Sequence, residues 1–483
     1  MEAHSSLPEN LLPPLLLSLA ASFLVYSALA AMLKNKIKAT ICNILLTLLF
    51  YTPMLVVPFI AAGTPAPLAL GIFLTVIGVI TVGTLLTKRC ANKPLARLSR
   101  LLTCFFCVQT AVFAYHFLYW NVLVGINQGS IKLADLDQDK SLSAPTNPPD
   151  IYYIILDGMA SDRTFKELLG HDNSAFTSYL KSKGFAVAED ASSNYCQTLL
   201  STPSFLNLSY LDGLAETMKG RGNDYALCIK PIQNNRLFHI LKNFHYKTTY
   251  ISSGFQPMTW MAEADTNKVD FFANDCTTPL LRRTMLGLLM PDLLAEMTRQ
   301  MRLRAFQNLR ASIDEPGPKL VFMHMLAPHP PYLFKADGSF TKAEDIGVDW
   351  SCGEDKALPY CQQAQWAEGE VKRFLEKALS SKRPPIIIIH SDHGPATLSD
   401  IYLNHESKEF VRERTGILTA CYFPGTKNKK IFNPDFSAVN IGRLLLNTYF
   451  QGHYPLLAKH VYFSNYSHPF QFKEVEAWES VRK

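Results

Sequence analysis

Hydrophobic residues are distributed unevenly along this chain. The first 125 positions are densely apolar, whereas the following positions mix apolar and polar residues. Within the first part, four apolar stretches are each long enough to cross a bilayer as a helix, at about residues 12–33, 41–62, 67–87 and 101–124. We therefore predict a transmembrane region of four helices within residues 1–125. A cleaved signal peptide would show one short apolar core instead of four.

The charges between these stretches predict their orientation. The loops after the first and third stretches carry several lysines and arginines, whereas the loop between the second and third, "AAGTPAP", carries no charge. Basic loops remain on the cytoplasmic side of a membrane. Both termini, and everything after the fourth stretch, are therefore predicted on the non-cytoplasmic side. We predict a multi-pass protein of a bacterial cytoplasmic membrane with an exported domain.

The exported part shows alternating strand and helix patterns. Residues 126–149 are polar and rich in Ser, Asp and Pro, which is typical of a linker. Residues 150–465 form the predicted catalytic domain, and residues 466–483 form a C-terminal tail. Short runs of β-branched and aromatic residues occur within the domain at "DIYYIILDG", "TTYISS", "KLVFMHML", "PPIIIIHSD" and "GILTACYF". Strands separated by helical stretches predict an α/β/α sandwich, in which helices cover both faces of a mostly parallel sheet.

Three of the predicted strands lead into residues that bind metals or carry out acid–base chemistry. Asp157 follows the first strand, His324 and His329 lie at the end of another, and Asp392 and His393 follow the isoleucine run. Ligands of such sheets bind outside the carboxyl ends of the strands. Buried carboxylates and imidazoles are costly unless they are paired, and both are ligands of Zn²⁺ and Mn²⁺. Asp-Gly and Asp-His-Gly alone also occur in ordinary turns, but together the strand ends predict a divalent-metal site.

The two histidines of "HMLAPHPPYLF" flank a turn that three prolines stiffen. Two imidazoles fixed in this way are able to clamp an anionic group. The alternative is that one of them has only a structural role.

A nucleophile is expected in "SNYCQTLLSTPSFLN". The candidates in this stretch are the thiol of Cys196 and the hydroxyls of Thr198, Ser201, Thr202 and Ser204. A hydroxyl is a weak nucleophile until a base or a metal activates it. Residue types alone do not choose among the candidates. Thr202 and Pro203 also match the N-cap and first position of a helix, which is a purely structural explanation.

Charge and cysteine content narrow the remaining functions. The formal net charge is +6, and the exported part contains no block rich in Lys and Arg, which argues against nucleic acid as a partner. Disulfides persist outside the cytoplasm, and Cys352 and Cys361 form the simplest pair to propose.

Residues 280–310 alternate Leu and Met patches with six arginines. We interpret this segment as a solvated helix face above a core face, in preference to an amphipathic membrane surface.

Taken together, these motifs resemble the sulfatase branch of the alkaline-phosphatase superfamily. The similarity covers about residues 150–465 and is strongest to membrane-anchored lipoteichoic acid synthases and lipid A phosphoethanolamine transferases. The motifs that carry it are "YYIILDG", "NYCQTLLS", "HMLAPHPPY", "HSDHG" and "AVNIGRLLLNTYF". The most specific is "SDHG" directly after an apolar strand. The resemblance implies a catalytic domain with the alkaline-phosphatase/sulfatase fold.

The resemblance also implies the roles of individual residues. It implies a divalent metal, Zn²⁺ or Mn²⁺, held by Asp157, Thr198, Asp392 and His393. It implies that Thr198 is the nucleophile, ahead of Ser201. His324 and His329 are then expected to contact the oxygens of the transferred phosphoryl group.

The function implied is a phosphotransferase. It would move a phospho-alcohol head group from a membrane lipid to a glycan or lipid acceptor through a phosphothreonine. Two features differ from the pattern: the named transferases usually carry Glu where this chain has Asp157, and Phe205 replaces the Arg of the formylglycine motif of true sulfatases. A sulfatase-like hydrolase of phosphodiesters or sulfuric esters is therefore the first alternative. A non-catalytic membrane assembly factor is the second.

Overall fold

A computed structural model describes most of the predicted catalytic domain and part of the N-terminal region. The described residues are 8–47, 93–94, 96–97, 141–218, 225–255, 258, 260–270, 274, 277–282, 284–342, 356–398, 407–426, 432 and 436–476. The chain forms two compact units. One unit comprises Met1–Ser5, Ser130–Asp270 and Arg299–Lys483 and contains the candidate site, and the other comprises Ser6–Gly129 and Phe271–Thr298.

The described N-terminal residues include helix α1, Pro8–Leu33, which is 26 residues long. Within the described parts of the chain, no helix combines the length and the hydropathy that crossing a membrane requires. The predicted span 12–33 falls within α1. The spans 41–62, 67–87 and 101–124 lie largely or wholly outside the described residues, as does Cys352 of the predicted disulfide.

A seven-stranded sheet forms the centre of the unit that contains the candidate site. Its strands, in chain order, are β1 Ile151–Leu156, β2 Ala186–Val187, β3 Lys247–Ser252, β4 Thr266–Lys268, β5 Lys319–Met325, β6 Ile386–His390 and β7 Thr419–Tyr422. In space their order is β2-β7-β6-β1-β5-β3-β4. β1 is parallel to β5 and β6, and β3 is parallel to β5 and β4, whereas β7 is antiparallel to β6 and β2. The prediction of a mostly parallel sheet is confirmed. Two short strands, β8 Tyr462–Phe463 and β9 Lys473–Glu474, pair separately.

Helices separate these strands along the chain. They are α2 Asp162–Leu168, α3 Ser174–Ser182, α4 Thr198–Leu206, α5 Asp212–Met218, α6 Ala226–Gln233, α7 Arg236–Asn243, α8 Thr277–Arg282, α9 Met285–Leu289, α10 Pro291–Ala311, α11 Ala357–Leu379, α12 Lys408–Thr415 and α13 Ile441–Tyr449.

Strand β1 shows how the sheet is covered on both faces. All six of its residues are buried. Successive side chains of a strand point to opposite faces. Tyr153 packs against Phe205 of α4, while the ring of its neighbour Tyr152 contacts Phe374 of α11 at 5.0 Å. A strand that is apolar on both faces is typical of the middle of a parallel sheet, which explains why its sequence is continuously hydrophobic.

Helix α10 carries both exposed and buried residues, as the interpretation of residues 280–310 as a solvated face above a core face requires, but one of its arginines lies inside the domain. Arg302 of α10 is buried, and its guanidinium donates to the Pro331 carbonyl at 2.9 Å and to Gln363 Oε1 at 3.1 Å. These oxygens replace water as hydrogen-bond partners. They explain how a charged side chain is accommodated inside the domain.

Candidate active site

The sheet order places the predicted site residues next to each other. β1 lies between β5 and β6, so Asp157 at its end lies between His324 and Asp392. Gly158 follows with φ +75°, a conformation that glycine adopts without strain. The resulting turn directs the Gly158 N–H to Asp392 Oδ1, at 3.3 Å. The Asp-Gly pair is therefore a turn, and this turn contributes to the site.

Asp157, His324 and Asp392 form a candidate metal centre. One potential ligand atom from each lies within 4.8 Å of the others, and all three residues are buried. His324 Nε2 is 3.3 Å from Asp157 Oδ2. Asp157 Oδ1 and Asp392 Oδ2 are buried and have no hydrogen-bond partner among the described residues. Buried carboxylate oxygens without partners are costly, and a divalent cation bound between them fits this donor set.

His393 lies at the border between the carboxylates and the nucleophile stretch. Its Nε2 is 3.6 Å from Asp157 Oδ1 and 3.5 Å from Asp392 Oδ2. Its Nδ1 is 2.9 Å from the Gly394 carbonyl oxygen. A carbonyl can only accept, so Nδ1 carries the proton and Nε2 presents a lone pair. That lone pair is available to the Thr198 hydroxyl or to a metal.

Thr198 is the hydroxyl that reaches this centre. It is the first residue of α4, and its Oγ1 is 3.1 Å from His393 Nε2. The side chains of Cys196, Ser201 and Ser204 instead donate to main-chain carbonyls, those of Ser464, Tyr195 and Ser209 respectively. The suggestion that Thr202 caps a helix beginning at Pro203 is wrong, because α4 begins at Thr198 and Pro203 lies inside it.

Burial and mutual charge determine the protonation of the site. Burial alone would raise the pKa of Asp157, but the charge of His329 and the hydrogen bond of His324 outweigh it and hold the pKa below its usual range. Burial and the charge of Asp157 raise the pKa of Asp392 to about 6. Burial, with a contribution from Arg414, lowers the pKa of His393 to about 3, which favours the neutral imidazole that binds metals.

His329 occupies the turn after β5 and is half-buried. Its main-chain N–H donates to the Asp157 carbonyl at 3.0 Å, and its ring lies 6.5 Å from that of His393. Gln363 of α11 holds this turn, because its amide group donates to the Pro328 and His329 carbonyls and accepts from the Leu333 N–H at 2.7 Å. His329 is thus fixed beside the metal centre while part of its side chain remains accessible.

All six residues that the sequence predicted for the site therefore meet at one end of the sheet. The structure groups His324 with the two aspartates, whereas the sequence predicted His393 as the imidazole ligand and His324 as a substrate contact. These individual roles remain predictions.

Sequence reasoning missed four buried residues that support the site: Tyr360, Gln363, Arg302 and Arg414. Tyr360 Oη accepts from the Ala160 N–H and donates to the Gly158 carbonyl, each at 2.9 Å, which fixes the turn after Asp157. Burial lowers the pKa of Arg302 to about 9, against the opposing charge of Asp157. No sequence pattern marked these residues, because most of their partners are main-chain groups of distant segments.

The sequence matches the Sulfatase family over residues 149–447, which is more than half of the chain. The chain belongs to the sulfatase family. This confirms the predicted superfamily and the prediction that the chain is an enzyme. It also agrees with the α/β fold and the mostly parallel central sheet.

Several solved structures are similar to this chain at low identity. The C-terminal periplasmic domain of EcEptC from Escherichia coli, in complex with Zn, is 11% identical and has a TM-score of 0.45. The match covers 69% of this chain and 96% of the EcEptC chain. The lipooligosaccharide phosphoethanolamine transferase EptA from Neisseria meningitidis is 13% identical with a TM-score of 0.43, covering 78% and 69%. The lipoteichoic acid synthase LtaP from Listeria monocytogenes is 13% identical with a TM-score of 0.42, covering 71% and 88%. No curated protein matches the chain.

Proposed function

We propose that this chain is a membrane-anchored, metal-dependent phosphotransferase. It moves a phospho-alcohol head group from a lipid donor to a glycan or lipid acceptor through a phosphothreonine at Thr198. The observation that carries the proposal is the 3.1 Å contact between Thr198 Oγ1 and His393 Nε2, beside two buried carboxylates with unpartnered oxygens. The membrane anchor is supported by the four apolar stretches of the sequence, and it would keep the site close to lipid donors.

Asp157 and Asp392 would hold the metal, Zn²⁺ or Mn²⁺. The remaining ligands come either from His324, which lies with them, or from Thr198 and His393, which the resemblance implies. When bound, such a cation stabilises negative charge on the threonine oxygen and on the phosphoryl oxygens. His329, fixed beside the centre and partly accessible, is positioned to donate to those phosphoryl oxygens.

The chain's own residues account for the two transfer steps. Thr198 Oγ1 attacks phosphorus, its bond to phosphorus forms, and the bond from phosphorus to the donor alcohol breaks. The threonine proton leaves on the side of His393, and the departing alcohol takes up a proton. In the second step the acceptor hydroxyl attacks phosphorus, the threonine–phosphorus bond breaks, and Thr198 regains a proton. α4 begins at Thr198, so its N-terminal N–H groups favour the anionic group that Thr198 carries.

Hydrolysis at the same site is the second candidate. Asp157 stands where the named transferases usually carry Glu, and this feature favours water as the acceptor. The two candidates share the covalent step and differ in what removes the group from Thr198.

The test is the mass of the tryptic peptide that contains Thr198, from full-length protein made in its native membrane. We expect an added phospho-alcohol mass on Thr198. The mass should be retained in Ser201→Ala, because the Ser201 hydroxyl bonds to the Tyr195 carbonyl and not to the site. Thr198→Val must lack it. A formylglycine mass at Ser201 or Cys196 would overturn the proposal in favour of a sulfatase. An unmodified wild-type peptide in a metal-loaded protein would favour hydrolysis.

A further inference from the structure

Arg414 is a buried arginine at the end of α12, and it connects two segments of the site. Only 3% of its surface is exposed. Its Nη1 donates to the Gly394 carbonyl at 2.7 Å, and its Nη2 donates to the Cys196 carbonyl. The first carbonyl belongs to the residue directly after His393. The second lies two residues before Thr198.

Each of these segments also has attachments of its own. The Gly394 N–H donates to the main-chain carbonyl of Arg414 at 2.8 Å, and Gln197 Nε2 donates to the Ser464 carbonyl at 3.0 Å. The Arg414 guanidinium donates to both segments, and the main chain beside it adds a second link, because the carbonyls of Arg414 and Thr415 accept from the N–H groups of Gly394 and Ser193. A guanidinium presents several donors in a rigid plane, which suits it to hold two carbonyls at a fixed separation.

The burial of this charge needs an explanation. No ion pair among the described residues includes Arg414, and the adjacent carboxylate of Glu413 accepts hydrogen bonds from Thr397 and Leu398. The charge of Arg414 opposes the rise that burial causes in the pKa of Glu413, so this neighbouring carboxylate offsets part of the cost. A buried cation whose hydrogen bonds go only to carbonyls is still costly, and an apolar residue of similar volume would often be at least as stable there. A functional constraint explains the choice better than stability does.

We propose that Arg414 is a positioning residue that holds the nucleophile Thr198 in register with the Asp392–His393 turn. This inference rests on the proposed function, since the register matters for catalysis only if Thr198 is the nucleophile. Arg414 contacts neither carboxylate of the candidate metal centre, and in the proposed mechanism it does not touch the substrate. With Asp157, His324 and Asp392 as the metal ligands, its loss should therefore slow the chemical step and leave substrate binding and metal content unchanged.

The test compares Arg414→Lys and Arg414→Met with wild type in the full-length membrane protein. The probe is bis(p-nitrophenyl) phosphate, together with the bound metal per chain and the thermal midpoint. Lys keeps the charge of Arg414 but lacks its planar guanidinium, and Met lacks both. Both variants should therefore lose about tenfold or more in kcat, because a displacement of a reacting group by about 1 Å already costs up to about a hundredfold in rate. KM should change less than about threefold, and metal content should equal that of wild type.

Arg443→Lys is the matched control, because Arg443 is also buried and donates to carbonyls, those of Leu208 and Pro455. Its kcat should equal that of wild type. Full kcat in Arg414→Lys would overturn the inference by showing that charge alone suffices. Loss of metal in parallel with kcat would overturn it by assigning Arg414 to the metal-binding turn. A Thr198→Val variant that still cleaves the probe would instead refute the proposed function, which keeps the two failures distinguishable.

Discussion

The main chain around Gly394 leaves no space for a methyl group, so the substitution Gly394→Ala tests the geometry of the site. A Cβ at this position would lie 1.9 Å from the main-chain oxygen of Glu413 and 3.2 Å from the carbonyl carbon of Arg414. Contacts below about 3 Å are essentially absent in proteins, so the turn after His393 must move by roughly 1 Å in Gly394→Ala. The obstacle is main chain, and no side-chain rotation relieves it.

The consequence for activity follows from what the turn carries. Gly394 bonds to Arg414 through both its N–H and its carbonyl, and it directly follows His393. A displacement of this size at a reacting group costs up to about a hundredfold in rate, or about 2.7 kcal/mol. Overpacking of a tight site adds about 1–3 kcal/mol of lost stability. We therefore expect Gly394→Ala to reduce the rate of probe cleavage by one to two orders of magnitude, together with a lower thermal midpoint.

Gly369→Ala is the control for the same chemical change. This glycine lies within α11, and the nearest atom to an added Cβ is Arg373 Nη1 at 3.9 Å. Alanine favours a helix over glycine by up to about 1 kcal/mol, so this variant should be as active as wild type and somewhat more stable. The reasoning is refuted if Gly394→Ala cleaves the probe within about threefold of the wild-type rate.

Two further predictions concern buried polar groups that support the fold. Burial raises the pKa of Glu368 to about 8, against the hydrogen bond from Asn173. The folded state therefore binds an extra proton between pH 4.5 and 8, and stability falls as the pH rises through this window, by up to about 5 kcal/mol. Glu368→Gln should remove that part of the slope in urea unfolding measured from pH 5 to 8.5, and parallel slopes would contradict the assignment. Tyr360→Phe leaves the Ala160 N–H and the Gly158 carbonyl without their partner. It should cost about 1–3 kcal/mol of stability in the same assay, and an unchanged unfolding midpoint would show that these groups find other partners.

The strands were predictable from the sequence because a strand that is buried on both faces has a continuously apolar sequence. β1 and β6 are covered on both faces, so their residues are continuously apolar, and the change to Asp157 and Asp392 marks the strand ends. The adjacency of these ends then follows from the general rule for parallel sheets. The same signal predicts four membrane spans, three of which lie largely or wholly outside the described residues.

The start of α4 was not predictable from local rules. Proline is typical of the first turn of a helix, yet Pro203 is the sixth residue of α4. Distant contacts anchor the segment before this helix, since the Gln197 side chain bonds to Ser464 and to Tyr225. The burial of Arg414 was hidden for a similar reason: its acceptors are main-chain carbonyls, and every residue has one. Only the fold determines which carbonyls come within its reach.

The order of the strands in the sheet affects how readily the protein aggregates. β2 and β4, the two edges of the described sheet, are only two and three residues long. Short edges offer few open backbone groups to a second chain, and they limit edge-to-edge aggregation of the native protein. The four consecutive isoleucines of β6 are typical of an aggregation-prone run, and they are shielded between β1 and β7. Solubility of the catalytic domain therefore depends on β1 and β7 pairing with β6, and any damage that frees either side of that strand exposes a self-associating surface.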